Sequence, residues 1–149
     1  MSILFINGSP NANGNTAALA RELLAGREHD TVQLGTTKVY DYGQEFPDDE
    51  FDAVLVKMRA ADTIVMGSPV YWHDLSGMLR NLLDRCYEPV PMGGFSGKRL
   101  AVLFQGSAPT PEMIERAEYT MSRFAGYYGM DYLGLATNAR EARKLVGRL

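Results

Sequence analysis

The sequence predicts an α/β protein in which one open parallel sheet is sandwiched between helices. Three observations carry that expectation. Short runs of consecutive apolar residues recur along the chain, as in strands buried on both faces. Between them, apolar residues recur at helical spacing and leave a polar opposite face. The two patterns alternate to give five βα units, too few strands for a closed eight-stranded barrel.

The first unit opens with the strand Ile3-Leu4-Phe5-Ile6, ended by Gly8-Ser9-Pro10. Residues 16–25 read as a helix, with Ala20, Leu23 and Leu24 on one face and Gly26 as its stop. Thr31-Val32-Gln33-Leu34 is the second strand, and a polar loop with Tyr40, Tyr42, Gly43 and Pro47 follows. Asp48, Asp49 and Glu50 open the next helix, where the dipole favours carboxylates. Phe51, Val54, Leu55 and Met58 form its apolar stripe. Thr63-Ile64-Val65-Met66 is the third strand, closed by Gly67-Ser68-Pro69. Ser76 caps a third helix whose stripe is Leu79, Leu82, Leu83 and Cys86. After a loop rich in proline and glycine, Leu100-Ala101-Val102-Leu103-Phe104 is the fourth strand. Thr110-Pro111 joins a cap to a first-turn proline. The helix behind it carries Ile114, Ala117, Met121, Phe124, Ala125 and Tyr128 and stops near Gly129. Tyr132-Leu133-Gly134-Leu135 is a short fifth strand, and Ala142, Leu145, Val146 and Leu149 mark a last helix.

A length of 149 residues fits one domain spanning the whole chain. Fifteen basic against 18 acidic residues leave a net charge of −3, which excludes a strongly basic nucleic-acid binder. One cysteine, Cys86, excludes a disulfide framework and a multi-cysteine metal site, and two histidines leave little for a histidine metal site. No segment approaches the roughly 18 apolar residues of a membrane helix. The N-terminus has no basic leader, so a cytoplasmic protein with a reduced thiol is expected.

In an open doubly wound sheet, ligands bind beyond the carboxyl ends of the strands, where strand order reverses. Three such ends carry unusual residues. The first, Gly8-Ser9-Pro10-Asn11-Ala12-Asn13-Gly14-Asn15-Thr16, precedes a helix N-terminus whose free N–H groups attract anions. Ser9, Asn11, Asn13, Asn15 and Thr16 can each add a side-chain hydrogen bond. A triphosphate loop needs lysine before its Ser/Thr, and here that place is Asn15; the G-x-G-x-x-G dinucleotide pattern is also absent. A single phosphate on a larger ligand fits best, although a polar turn with a helix cap explains the same residues.

The second loop, Gly67-Ser68-Pro69-Val70-Tyr71-Trp72-His73-Asp74-Leu75-Ser76, sets Tyr71 and Trp72 at the same rim. Their rings offer faces to a flat heteroaromatic ligand, and backbone groups of Val70, Tyr71 and Trp72 could bond its edge. Packing on a helix or at a subunit interface is the competing explanation. The third loop, Gln105-Gly106-Ser107-Ala108, is small and polar and could serve the pyrimidine end of such a ring. A neutral phosphate cradle beside an aromatic platform suits one ligand with a phosphate tail and a flat head. FMN has that shape.

At these residues the chain resembles the flavodoxin-like NAD(P)H-dependent oxidoreductases, the NADPH-dependent FMN reductase group. The resemblance rests on Asn7 to Thr16 and on Gly67 to Gly77, continuing to Leu83-Asp84-Arg85, with the same βα order over nearly the whole chain. It implies a flavodoxin-like three-layer sandwich with strand order 2-1-3-4-5, bound FMN and NAD(P)H as co-substrate. By position, Ser9, Asn11, Asn15 and Thr16 would hold the phosphate. Pro69, Val70, Tyr71 and Trp72 would contact the isoalloxazine, with Ser107 nearby. It further implies a homodimer and a small-molecule electron acceptor such as free flavin or a quinone. The loop from Val39 to Phe51 has no cysteine, so the cluster of related iron–sulfur flavoproteins is not expected. Asn11 stands where relatives often have a basic residue.

No acid–base pair is required, because the cofactor carries the hydride chemistry, and no catalytic side chain is assigned. His73 reads as a solvent-facing loop residue, Cys86 as core, and Asp84 with Arg85 as a surface or interface pair. Two other classes fit the same residues. A flavodoxin-type electron carrier would take electrons from a protein rather than from NAD(P)H. A nucleotide-binding or interaction protein would leave the flavin site empty.

Overall fold

Five parallel strands form one sheet in the computed structural model, which describes residues 1–149. They are β1 (Ile3–Asn7), β2 (Asp30–Gln33), β3 (Thr63–Pro69), β4 (Arg99–Gln105) and β5 (Asp131–Ala136), in the order β2-β1-β3-β4-β5. The expected flavodoxin-like order is the order found. The helices are α1 (Asn15–Leu24), α2 (Phe51–Ala60), α3 (Gly77–Arg85), α4 (Pro111–Tyr128) and α5 (Ala139–Leu145), with a closing 3₁₀ turn at Val146–Arg148. None is long and apolar enough to cross a membrane.

Consecutive side chains of each inner strand point to opposite faces, so an unbroken apolar run fills two cores at once. Leu4 and Ile6 join Ile64, Met66, Leu100, Val102 and Phe104 under α2, α3 and α4. Ile3 and Phe5 join Val65, Ala101 and Leu103 under α1 and α5. The chain leaves β1 for β2 on one side and returns past β1 to β3 on the other. Strand order therefore reverses between β1 and β3, which opens a crevice at their carboxyl ends.

Several boundaries differ from the sequence expectation. β3 runs on through Gly67, Ser68 and Pro69, with Pro69 in register with Gln105 of β4. Proline lacks only the N–H, and the next donor, Val70, continues the pairing. α1 ends one residue early, at a left-handed Ala25 (φ 50°). The three carboxylates before α2 lie outside the helix. Glu50 is its N-cap residue without a side-chain cap bond, while Asp49 Oδ1 accepts the Phe51 N–H at 2.7 Å. Asp48 pairs with Lys38 at 2.7 Å and accepts from Tyr40 at 2.9 Å. Arg85 pairs with Asp49 at 2.5 Å, not with its neighbour Asp84.

Candidate functional site

The β1–α1 loop is built on Asn7, a buried polar residue at the end of a buried strand. Its Oδ1 accepts from Ser9 N–H at 3.1 Å, and its Nδ2 donates to Gln33 Oε1 at 2.8 Å. Gln33 Nε2 in turn donates to the Ser9 carbonyl at 2.7 Å. Ser9 Oγ accepts from Asn11 N–H at 3.1 Å, and Asn11 Oδ1 from Asn13 N–H at 3.2 Å. These bonds brace the loop from within.

The first turn of α1 is left open by this arrangement. Its N-cap is Gly14, which offers no side-chain acceptor. The N–H groups of Asn15, Thr16 and Ala17 find no partner in the chain. In α3, α4 and α5 the corresponding place is filled by Ser76, Thr110 and Asn138. No residue from Gly8 to Thr16 is charged. Unpaired N–H groups at the positive end of a helix, with no competing carboxylate, form an anion seat.

Of the five side chains expected to contribute, Asn13 and Asn15 are exposed at this turn. Ser9 and Thr16 are buried, and the carboxamide oxygen of Asn11 is engaged inside the loop. The seat is therefore mainly backbone. Asn7, although it opens the matched stretch, and Gln33 were given no part in the seat by the sequence reading. A buried asparagine closing an apolar strand was the available signal.

The crevice walls approach closely at two glycines. Gly8 N–H donates to the Gly67 carbonyl at 2.7 Å. A Cβ on Gly67 would lie 2.7 Å from Thr16 Cγ2 and 3.0 Å from Phe5 Cε2. Ser76 adds a second tie, its Oγ donating to the Gly8 carbonyl at 2.6 Å, while its N–H donates to Ser68 Oγ at 2.8 Å.

Beyond β3 the chain turns sharply. Val70 N–H donates to the Gln105 carbonyl at 2.8 Å, which joins the second and third loops. Tyr71 and Asp74 form an antiparallel bridge, with Tyr71 N–H to Asp74 O at 3.0 Å and Asp74 N–H to Tyr71 O at 3.1 Å. Between them Trp72 (φ 47°) and His73 (φ 64°) both adopt the left-handed conformation. Each such non-glycine residue costs about 1–2 kcal/mol. Trp72 is 94% exposed and Tyr71 45%, so packing on a helix of the same chain does not account for them. The His73 carbonyl accepts from Arg116 Nη1 of α4 at 2.9 Å. Ser107 is exposed, with no hydrogen bond from its hydroxyl. Sequence reasoning missed Arg116, because nothing local links position 116 to position 73.

Away from the crevice, burial pushes the Cys86 thiol up to about 12. A cavity of about 520 Å³ lies between α3 and α4 and is lined by Tyr42, Leu83, Tyr87, Phe124 and Tyr127 among others.

The profile of the family described as NADPH-dependent FMN reductase matches residues 1–139. An iron-sulfur flavoprotein of Methanocaldococcus jannaschii is 35% identical over 99 residues, covering 57% of this chain and 51% of that protein. An NADPH azoreductase of a Bacillus species is 30% identical over 87 residues, covering 56% of this chain and 49% of that protein. The chain thus spans about half the length of the curated relatives it matches. Among solved structures, a Trp repressor binding protein from Bacillus subtilis superposes with a TM-score of 0.79 at 19% identity, over 99% of both chains. An FMN-dependent NADH-azoreductase from Bacillus anthracis, solved with FMN, gives 0.71 at 14% identity, covering 99% of this chain and 95% of that one. These two likenesses show the fold.

Proposed function

Since the chain belongs to the NADPH-dependent FMN reductase family, we propose that it binds FMN and passes hydride from NAD(P)H through it to a small acceptor. The observation that carries the reading is the open first turn of α1, at the end of a loop whose Gly8 is hydrogen-bonded to Gly67 and Ser76, the residues on either side of the aromatic turn. The N–H groups of Asn15, Thr16 and Ala17 would hold the phosphate, with Ser9, Asn11, Asn13, Asn15 and Thr16 around it. Pro69, Val70, Tyr71 and Trp72 would line the isoalloxazine, with Ser107 at its edge. FMN, when bound, supplies the hydride exchange with the nicotinamide. The protein's part is to hold and orient it.

The acceptor we infer is a flat molecule such as free flavin or a quinone, which could stack on the exposed Trp72 ring. One buried, free thiol fits the cytoplasm as the compartment. A homodimer is part of the same reading, supported by the aromatic cavity between α3 and α4. Arg80 and Asp84 lie one turn apart on its wall, exposed and with no ion pair inside the chain. A two-fold copy would set each against its opposite.

The test is direct. Protein reconstituted with FMN and mixed anaerobically with NADPH or NADH should lose its visible flavin bands, and a quinone should restore them. Bands that persist with both nucleotides would falsify the reductase reading in favour of an electron carrier. A protein that fails to quench added FMN fluorescence would remove FMN altogether.

A further inference from the structure

The left-handed turn at Trp72–His73 is held from outside both loops, and the structure assigns that task to Arg116: it is a positioning residue that keeps the aromatic turn in its binding shape. The inference rests on the reading that Pro69 to Trp72 meets the isoalloxazine.

Two consecutive left-handed residues in a two-residue turn call for Asn-Gly or a similar pair. Here they are tryptophan and histidine, and both are exposed, so neither side chain gains packing that offsets the strain. The Tyr71–Asp74 bridge closes the hairpin from behind. At the tip itself the hydrogen bond to the rest of the protein is the one from Arg116 Nη1 to the His73 carbonyl, 2.9 Å long. Arg116 sits in the second turn of α4, a helix of 18 residues fixed to the core by Ala117 and Met121. It has no carboxylate partner within 4.0 Å, so its guanidinium is engaged by that carbonyl alone. The fork points the carbonyl toward α4 and holds the His73–Asp74 peptide plane, and with it ψ of His73, in the left-handed turn. Without it the tip relaxes, and only a fraction of the free protein presents the binding form. The apparent dissociation constant then rises by the inverse of that fraction.

Trp72 is the chain's single tryptophan, so its emission reports on this turn. The experiment compares wild type, Arg116→Met, Arg116→Lys, His73→Gly and the double variant Arg116→Met/His73→Gly. Two signals are read: Trp72 anisotropy without cofactor, and FMN affinity from quenching of flavin fluorescence. Arg116→Met should lower the anisotropy and raise the FMN dissociation constant about three- to tenfold, the size of one partly screened charge-assisted hydrogen bond. Its melting temperature should stay near that of wild type, because the residue is exposed. Arg116→Lys should recover part of the affinity. In the His73→Gly background the same methionine should cost little, since glycine accepts φ > 0 without penalty. Unchanged anisotropy in Arg116→Met overturns the proposal. So does an affinity loss as large in the His73→Gly background as in the parent chain, which would make Arg116 a direct ligand contact. A wild type that binds no FMN defeats the FMN reading alone, and the anisotropy still decides the role of Arg116.

Discussion

Ser76 Oγ donates to the Gly8 carbonyl at 2.6 Å and accepts the Leu79 N–H at 3.2 Å. One buried hydroxyl therefore caps α3 and also ties the β3–α3 loop to the β1–α1 loop. The two loops cannot separate without leaving the Gly8 carbonyl unpaired in the interior. The β1–α1 and β3–α3 loops are thus braced against each other at this hydroxyl.

Ser76→Ala removes both bonds. It should destabilise the protein by about 2–3 kcal/mol, the sum of a lost cap and an unpaired buried carbonyl. Urea unfolding measures this, and FMN affinity should fall with it. A change under about half a kcal/mol would mean that water replaces the hydroxyl without loss.

Gly67→Ala places a methyl 2.7 Å from Thr16 Cγ2, at the mouth of the anion seat. Overpacking of this kind costs about 1–3 kcal/mol. The strain should push the first turn of α1 outward and weaken FMN binding. Adding Thr16→Ser, which deletes the clashing methyl, should recover part of the stability and affinity. Equal losses in both backgrounds would place the strain at Phe5 instead.

Arg85 and Asp49 are mostly buried and 2.5 Å apart, and the same guanidinium donates to the Tyr40 carbonyl at 2.8 Å. With Asn81 donating to the Val39 carbonyl at 2.7 Å, they pin the β2–α2 connection onto α3. Removing one member of a buried pair strands the other, at about 3 kcal/mol. Arg85→Met should reach that figure in urea and expose residues 38–49 to limited proteolysis. Cleavage at wild-type rates would show that the connection is held by other contacts.

Burial raises the Cys86 thiol to about 12 and the Tyr128 phenol to about 12, and Tyr128 Oη donates to the Cys86 carbonyl at 2.9 Å. Both groups are neutral in the fold. The unfolded chain ionises first, so their contribution is complete below the ordinary values of 9.0 and 10.0 and is lost as pH climbs toward about 12. The urea midpoint should fall across that window, and Tyr128→Phe should flatten the fall. The native thiol should resist a disulfide reagent that titrates fully in denaturant. Rapid native reaction would place Cys86 outside the core.

Much of the architecture was legible because it follows from local patterning. Runs such as Ile64-Val65-Met66 and Leu100 to Phe104 have no polar face, so each must be an inner strand covered on both sides. The caps Ser76 and Thr110 are readable because a hydroxyl acts within three residues of itself. Pro69 misled, because a missing N–H says nothing about the carbonyl or about the next donor, Val70. Asp48, Asp49 and Glu50 misled for a related reason: a carboxylate near a helix start has two possible partners, and Lys38 and Arg85 are distant in sequence.

The sequence by itself determined the layered parallel sheet, its five strands and the two loops worth inspecting, since periodicity and turn chemistry act over a few residues. Tertiary structure decided the rest. The loop before α1 is braced by a network that Asn7, Gln33 and Ser9 close across 26 positions, and the first turn of α1 is left with open backbone N–H groups. Trp72 proved exposed and left-handed, in a turn that Arg116, 43 positions from His73, meets only after α4 docks. Contacts of that range depend on how elements pack together, and no residue announces them along the chain.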